Sequence, residues 1–345
     1  MALTDKLIAI GDGFRSSRGT SVKYSLDEMA VLAAEKVGGG ESGGEEWIGD
    51  GNTHLWISLA EGRTSPMLGI GVNGTVTVDW GDGSTPDVLT GTSVYTVKWT
   101  PNHEYGAAGD YIITLAVEGQ AALQGSAAAN SYCYILRQSA GVDGRNPAYQ
   151  SSLRRAEIGN DVLIEAYAFN YCYNLTSVFI PSGVDIGIYA FCYCYGLTNV
   201  IFSEGVKSIG ASSFGYCYGL KDITIPESVK QIDDNAFYEC RGLKNVTLGG
   251  YKYLNIGTGA FFRCDGITNV TFSGNVSSIS ENAFYFCGGV KFYDFTALTA
   301  IPSLSATSAF LGMNEDCRFL VPSNLLTSWK STTNWSAYAG YILEG

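Results

Sequence analysis

From residue 150 onward the apolar positions return with a period near 23 residues. The anchor is Phe169, Phe191, Phe214, Phe237, Phe261, Phe284 and Phe310, at intervals of 22, 23, 23, 24, 23 and 26 residues. Each follows an Ala except Phe214, which follows Ser213. The first six carry an Ile five residues earlier (Ile164, Ile186, Ile209, Ile232, Ile256, Ile279). The same six carry a Cys three residues later (Cys172, Cys194, Cys217, Cys240, Cys264, Cys287). Leu175, Leu197, Leu220, Leu243, Ile267 and Val290 come three positions further on and open a short strand, as in Leu220-Ile223-Ile225. Leu153-Ala156-Ile158 is an earlier copy and Phe319-Val321 a later one.

One such unit cannot bury its apolar side alone, so the pattern predicts a stack. Phe, Ile, Cys and Leu of each turn pack on their equivalents in the next. About eight parallel strands at roughly 4.8 Å each give a solenoid on the order of 35 Å long over residues 150–345.

Upstream the period changes. Residues 46–130 alternate as strands do, most clearly in Trp56-Ile-Ser-Leu, Val76-Thr-Val-Asp-Trp and Tyr111-Ile-Ile-Thr-Leu-Ala-Val. Asp79-Trp80-Gly81-Asp82-Gly83-Ser84 sets a tight turn directly after a strand. Residues 131–149 form a connector and 38–45, GGGESGGE, a flexible linker. Residues 1–37 read as two short helices. Leu3, Leu7, Ile8 and Ile10 make the first apolar stripe, and Ser25-Leu-Asp-Glu is a helix start leading to Met29, Val31 and Leu32. The fold class expected is therefore multidomain: a short helical N-terminus, an all-β module and a parallel-strand solenoid. The solenoid fragment 146–345 is expected to fold alone.

Composition narrows the function. With 46% hydrophobic and 16% charged residues the chain folds around a core and is not a disordered tail. A net charge of −12 excludes nucleic acid as the natural partner, since phosphate binding needs a basic surface. It also disfavours an anionic membrane. No run of 18 apolar residues predicts a membrane span, and Asp5, Lys6, Asp12 and Arg15 break up any signal-peptide core.

No catalytic constellation is visible. The only histidines, His54 and His103, lie outside the repeats, and no nucleophile elbow or phosphate loop occurs. Six of the nine cysteines recur once per repeat in register, which points to small buried hydrophobes in the reduced state. Zinc needs paired spacings; the one close pair, Cys192 and Cys194, is C-x-C. Asp79 and Asp82 alone fall short of the six or more oxygens calcium requires, so they read as turn residues, and His103 as a structural hydrogen-bonding residue. No cofactor or metal is expected.

Two surfaces are candidates for binding. Tyr171, Tyr193 and Tyr216 stand two residues after the anchor Phe, and Tyr173, Tyr195 and Tyr218 four residues after it. These two tyrosine columns on three adjacent repeats offer rigid amphipathic area for a sugar or a protein; the alternative is stacking between repeats alone. Glu239, Arg241, Arg263 and Asp265 take these positions later. The second surface is the strand face, where Asn199, Asp222, Asn245 and Asn269 form one outward column beside Ile201, Thr224 and Thr247. Its alternative is a merely solvated sheet.

The repeat resembles the BspA-type leucine-rich repeat, with its I-G-x-x-A-F-x-x-C-x-x-L-x-x-V-x-I-P unit, over residues 153–345. The closing Val321-Pro-Ser-Asn-Leu-Leu-Thr-Ser-Trp-Lys and Asn334-Trp-Ser-Ala-Tyr resemble that family's capping strand and helix. Asp79-Trp80-Gly81-Asp82-Gly83, with His103-Glu-Tyr105 and the strand after Gly109, resembles the PKD-type immunoglobulin-like sandwich, commonly a spacer. The opening Leu3-Thr-Asp-Lys-Leu, with Gly19-Thr20 and Leu26-Asp-Glu-Met-Ala30, is similar to the start of phage tail-associated proteins.

Taken together, these resemblances imply a non-enzymatic receptor-binding protein of a phage tail or fibre. It would assemble in the bacterial cytoplasm, dock on other virion proteins through residues 1–37 and form a homo-oligomer. Its repeats would hold a host cell-surface glycan or protein. The alternatives are a bacterial cell-surface adhesin, the usual setting of these repeats, and a structural decoration of the particle.

Overall fold

A computed structural model describes residues 47–61, 66–123, 136–138, 152–250 and 253–345. The expected helical segment 1–37 and the linker 38–45 lie outside the described residues, as do all but three residues of the connector.

The N-terminal part is β1 (Thr53–Leu59), β2 (Pro66–Asp79), β3 (Asp87–Trp99) and β4 (Gly109–Leu123), with a short β5 (Leu136–Gln138) on the start of β2. Alternation drives these strands. In β2, Val72, Val76 and Val78 are wholly buried while Asn73 and Asp79 face out. Among the described residues the strands follow one hydrogen-bonded path, β3-β2-β4-β1, where an immunoglobulin-type sandwich was expected to show two facing sheets.

The two motifs that suggested the sandwich do meet in space. Trp80 is wholly buried, His103 stacks on its ring at 4.6 Å, and the Tyr105 hydroxyl donates to the Trp80 carbonyl at 2.9 Å. Asp79 caps the Gly81 N–H, Asp82 caps Ser84, and the other oxygen of Asp82 lies 2.8 Å from His103 Nε2. Burial works to raise the Asp82 carboxyl, but the Ser84 and His103 hydrogen bonds outweigh it and hold it down at about 2.

The sheet does not end where the repeats begin. β1 pairs antiparallel with β6 (Leu153–Glu157), placing Leu55 opposite Ala156. β4 pairs in parallel with β7 (Val162–Ile164), placing Ala121 opposite Val162. Both parts contribute to one hydrophobic core. The N-terminal sheet thus seats on the first turn of the solenoid, and strand pairing joins it to the segment 146–345 that was expected to fold alone.

The solenoid has two strand columns. The first holds β6, β8 (Ser177–Ile180), β9 (Asn199–Phe202), β11 (Asp222–Ile225), β13 (Asn245–Leu248), β15 (Asn269–Phe272), β17 (Phe292–Asp294), β19 (Arg318–Val321) and β20 (Ile342–Glu344); strand pairing breaks between β9 and β11. The second continues from β7, through single bridges joining Ile164, Ile186 and Ile209, into β10 (Ser208–Ile209), β12 (Gln231–Ile232), β14 (Leu254–Ile256), β16 (Val276–Ile279) and β18 (Ser303–Leu304).

The third side is the turn that carries the anchor Phe. There the backbone bonds run from repeat to repeat: Phe169 N–H to Ala190 O at 2.6 Å, Phe237 N–H to Ala260 O at 2.7 Å, Phe284 N–H to Ala309 O at 2.8 Å. The seven anchor rings stack at 4.9 to 5.4 Å, tilted by no more than 6°. Glycine is required beside them. A Cβ on Gly242 would stand 2.0 Å from the Tyr218 carbonyl of the preceding repeat.

The far end is plugged by aromatics. Phe319, Trp335 and Tyr338 pack on Phe310, and Trp329, carried by the short helix α1 (Leu326–Ser331), packs on Trp335. Trp335 Nε1 donates to Pro302 O at 2.8 Å, and Asn334 to Leu304 O at 2.6 Å. Tyr293 lies inside this plug, wholly buried, and its hydroxyl has no hydrogen-bond partner among the described residues. Tyr293→Phe should therefore be neutral or stabilise the protein by up to about 1–3 kcal/mol, because it removes an unsatisfied buried hydroxyl. Chemical denaturation checks this; a loss above about 1 kcal/mol would mean the hydroxyl has a partner.

Candidate functional site

Each of the first six repeat turns holds two residues in the left-handed region, two before and two after the anchor Phe. The earlier position is Tyr167, Tyr189, Ser212, Asn235, Gly259 and Asn282 in succession, with φ between 53° and 62°. The later repeats fill it with Asn or Gly, which this backbone accepts at least cost. The later position is Tyr171, Tyr193, Tyr216, Glu239, Arg263 and Phe286, with φ between 54° and 63°; glycine takes it only in the seventh turn, at Gly312 with φ 83°. A bulky side chain in this region is held against a backbone penalty of about 1–2 kcal/mol. The surrounding turn holds its backbone in place.

The tyrosines form a herringbone. Tyr171, Tyr193 and Tyr216 stack at 4.5 and 4.6 Å with planes 7° apart. Tyr173, Tyr195 and Tyr218 stack at 5.3 Å. Within each repeat the two rings meet nearly edge to face, at 71°, 85° and 88°. The first column and Tyr173 are half-buried; Tyr195 and Tyr218 are 40% and 42% exposed. Burial pushes the Tyr193, Tyr216 and Tyr218 hydroxyls above their ordinary range, so all remain neutral donors at physiological pH.

Two further aromatic columns escaped the sequence reading. Tyr167 stacks on Tyr189 at 5.1 Å, and Tyr238, Phe262 and Tyr285 stack at 5.1 and 4.9 Å one position after the anchor. Both are legible as equal offsets in adjacent repeats once the register is known. Tyr216 touches Tyr238 at 5.3 Å, so the aromatic line is continuous from Tyr171 to Tyr285. Beyond Tyr216 and Tyr218 the surface turns charged. The largely buried Glu239 carboxylate accepts from Arg241 at 2.8 Å, and Arg263 lies 3.6 Å from it.

The strand face is arranged differently from expectation. Asn245 Nδ2 donates to Asp222 Oδ1 at 2.7 Å and Asn269 Nδ2 to Asn245 Oδ1 at 3.2 Å, so the column bonds along itself. Thr224, Thr247 and Thr271 stand in register beside it. Asn199 is half-buried. Ile201 does not face solvent: Trp47, Trp56 and Phe179 cover it, and Arg155 lies 3.5 Å over the Trp47 ring. Trp47 reaches this place because Glu157, on β6, accepts the Ile48 and Gly49 N–H groups at 2.8 and 2.6 Å. No sequence period predicts a contact between residues more than a hundred positions apart.

The cysteines form a buried hydrogen-bonded ladder. Cys194, Cys217, Cys240, Cys264 and Cys287 donate their thiols to Phe169, Phe191, Phe214, Phe237 and Phe261 carbonyls at 3.0 to 3.2 Å. The eight described cysteines are free and buried. Burial pushes Cys192 and Cys317 up to about 12, and raises Cys217, Cys264 and Cys287 well above the ordinary thiol range. The thiolate is the reactive form. In a Cys133→Ser protein, which removes the one cysteine outside the described residues, no thiol should react with a maleimide at pH 8 until guanidinium is added. Labelling of the native protein would show that the ladder opens.

Among the described residues no group of three or more His, Cys, Asp or Glu is placed to hold a metal ion. No described helix is long and apolar enough to cross a membrane.

The solenoid stacks parallel-strand repeats with one buried Phe rung per turn. Residues 162–291 match the BspA type leucine rich repeat region in six copies. Among solved structures, the chain is similar to a leucine rich repeat protein of T. pallidum at 23% identity and TM-score 0.41, over 54% of this chain and 83% of that one. It is similar to a leucine rich cell surface protein of Faecalibacterium prausnitzii at 30% identity and TM-score 0.33, over 44% of this chain and 38% of that one. It is also similar to the pneumococcal vaccine antigen PcpA at 16% identity and TM-score 0.28, over 47% of this chain and 54% of that one. No curated protein matches the sequence.

Proposed function

We propose that the protein is a non-enzymatic adhesion protein of a bacterial cell surface that holds a macromolecular ligand on the tyrosine face of its first repeats. One observation carries this reading. Tyr171, Tyr193 and Tyr216 occupy left-handed turn positions where Asn or Gly costs less, and they and their neighbours line the surface outside the Phe core. Tyr and Arg concentrated on one rigid face are the composition of binding hot spots. The BspA-type repeat favours the surface-adhesin reading over a phage tail protein, whose motifs fall within residues 1–37, outside the described residues.

The protein is expected in the envelope fraction of a density gradient of its source, and to be removed by trypsin treatment of intact cells. Banding with phage particles would return the tail-protein reading instead. Binding should be lost on changing Tyr195 and Tyr218 to Ala. These two test the face better than the half-buried Tyr171, Tyr193 and Tyr216, whose truncation would also open the stack.

A further inference from the structure

We infer that the tyrosine face takes a polypeptide, recognised edge-on through its phenol hydroxyls and the adjacent Arg241 and Arg263, and not a glycan stacked on its rings. This rests on the reading of that face as the binding site.

An aromatic residue holds a sugar chiefly with the face of its ring, where the negative π cloud meets polarised C–H groups. Here the faces are already occupied. Tyr193 lies between Tyr171 and Tyr216 at 4.5 and 4.6 Å, and Tyr195 between Tyr173 and Tyr218 at 5.3 Å on each side. A sugar inserted between two phenols would need them roughly 7–8 Å apart, twice the contact distance of about 3.5–4.0 Å. The repeat pitch forbids that separation, because the same turns are joined by backbone hydrogen bonds, Tyr171 N–H to Cys192 O at 2.9 Å and Tyr193 N–H to Gly215 O at 2.8 Å. Ring edges and hydroxyls are what the two middle rungs offer a ligand.

Next along the two columns come Glu239 and Arg241, then Arg263 and Asp265; the two Arg side chains are 49% and 51% exposed, with Glu239 2.8 Å from Arg241 and 3.6 Å from Arg263. The face therefore presents hydroxyls, neutral at physiological pH, and two exposed guanidinium groups, with the Asp265 carboxylate at its far edge, a surface with more donors than acceptors. Its complement is a ligand rich in acceptors with apolar groups between them. Backbone carbonyls and carboxylates on a polypeptide supply the acceptors. The apolar groups would meet Ile188 and Tyr189, 49% and 37% exposed on the same turn as Tyr193. A neutral glycan denied the ring faces would keep only hydroxyl contacts to the phenols and guanidinium groups, which gain little in exchange for water.

The test uses the full chain and two probes, a displayed library of random dodecapeptides and an array of immobilised oligosaccharides. Three proteins are compared: the native chain, a Tyr195→Phe, Tyr218→Phe pair that keeps the rings and stack but deletes the hydroxyls, and the corresponding Ala pair. The expected result is enrichment of peptides on the native chain, with affinity falling at least tenfold in the Phe pair as well as in the Ala pair. Oligosaccharide binding kept by the Phe pair and lost by the Ala pair would overturn the inference while leaving the face as the site. Binding of either probe unchanged in both pairs would overturn the site and the inference together. No peptide enrichment on the native chain would overturn the inference.

Discussion

A fragment starting at residue 146 should fail to fold as a cooperative unit, and the full chain should unfold its N-terminal sheet and first repeats together. The reason lies in the two strand pairings that cross the boundary, β1 with β6 and β4 with β7. Without residues 47–123 the edges of β6 and β7 lose their hydrogen-bond partners, and Leu153, Ala156, Ile158, Val162 and Ile164 lose the cover that now leaves them at most 3% exposed. Re-exposing an aliphatic side chain of this size costs about 1.5–3 kcal/mol, so four of them amount to roughly 6–12 kcal/mol. That is comparable to the whole stability of a typical domain, about 5–15 kcal/mol. A solenoid end that lacks its cap also presents an open strand edge and aggregates. Guanidinium unfolding followed by circular dichroism, with light scattering of the fragment, measures both effects. A monomeric fragment 146–345 with the midpoint of the full chain would sink this account.

Phe237→Ala should destabilise the protein by about 3–5 kcal/mol, the range for truncating a buried Phe. Phe237 has no solvent exposure and stacks between Phe214 at 5.2 Å and Phe261 at 5.0 Å. Its carbonyl also accepts the Cys264 thiol, so the cavity would lie beside two ladders at once. Relaxation cannot close it, because the backbone of each turn is tied to the next at the anchor itself, Phe237 N–H to Ala260 O at 2.7 Å. Phe237→Leu should cost less, since much of the volume remains. Equilibrium unfolding of the two variants gives the comparison. A loss below about 2 kcal/mol for the Ala variant would show that the repeat stack does not depend on its Phe ladder.

Most of the solenoid was legible in the sequence, for a simple reason. Stacking places residue n beside residue n + 23, so any position that must be buried repeats in the chain. Phe169 to Phe284, the Cys column and the six Ile follow that rule, and the Tyr columns do too. The Trp80, His103 and Tyr105 cluster was legible as two motifs, although the strand path β3-β2-β4-β1 of the described residues beside it was not.

What the sequence alone determined is thus the repeat, its register, its buried ladders and the tyrosines set just outside them. The tertiary structure decided the rest. It showed that the N-terminal sheet joins the solenoid, that Trp47 covers Ile201, that the Asn column bonds to itself, and that the tyrosine rings stack face to face. Each depends on contacts between segments with no common period, or on the orientation of a ring about its own bonds. A linear pattern records which positions are apolar; it does not record which face of a side chain its neighbours have already taken.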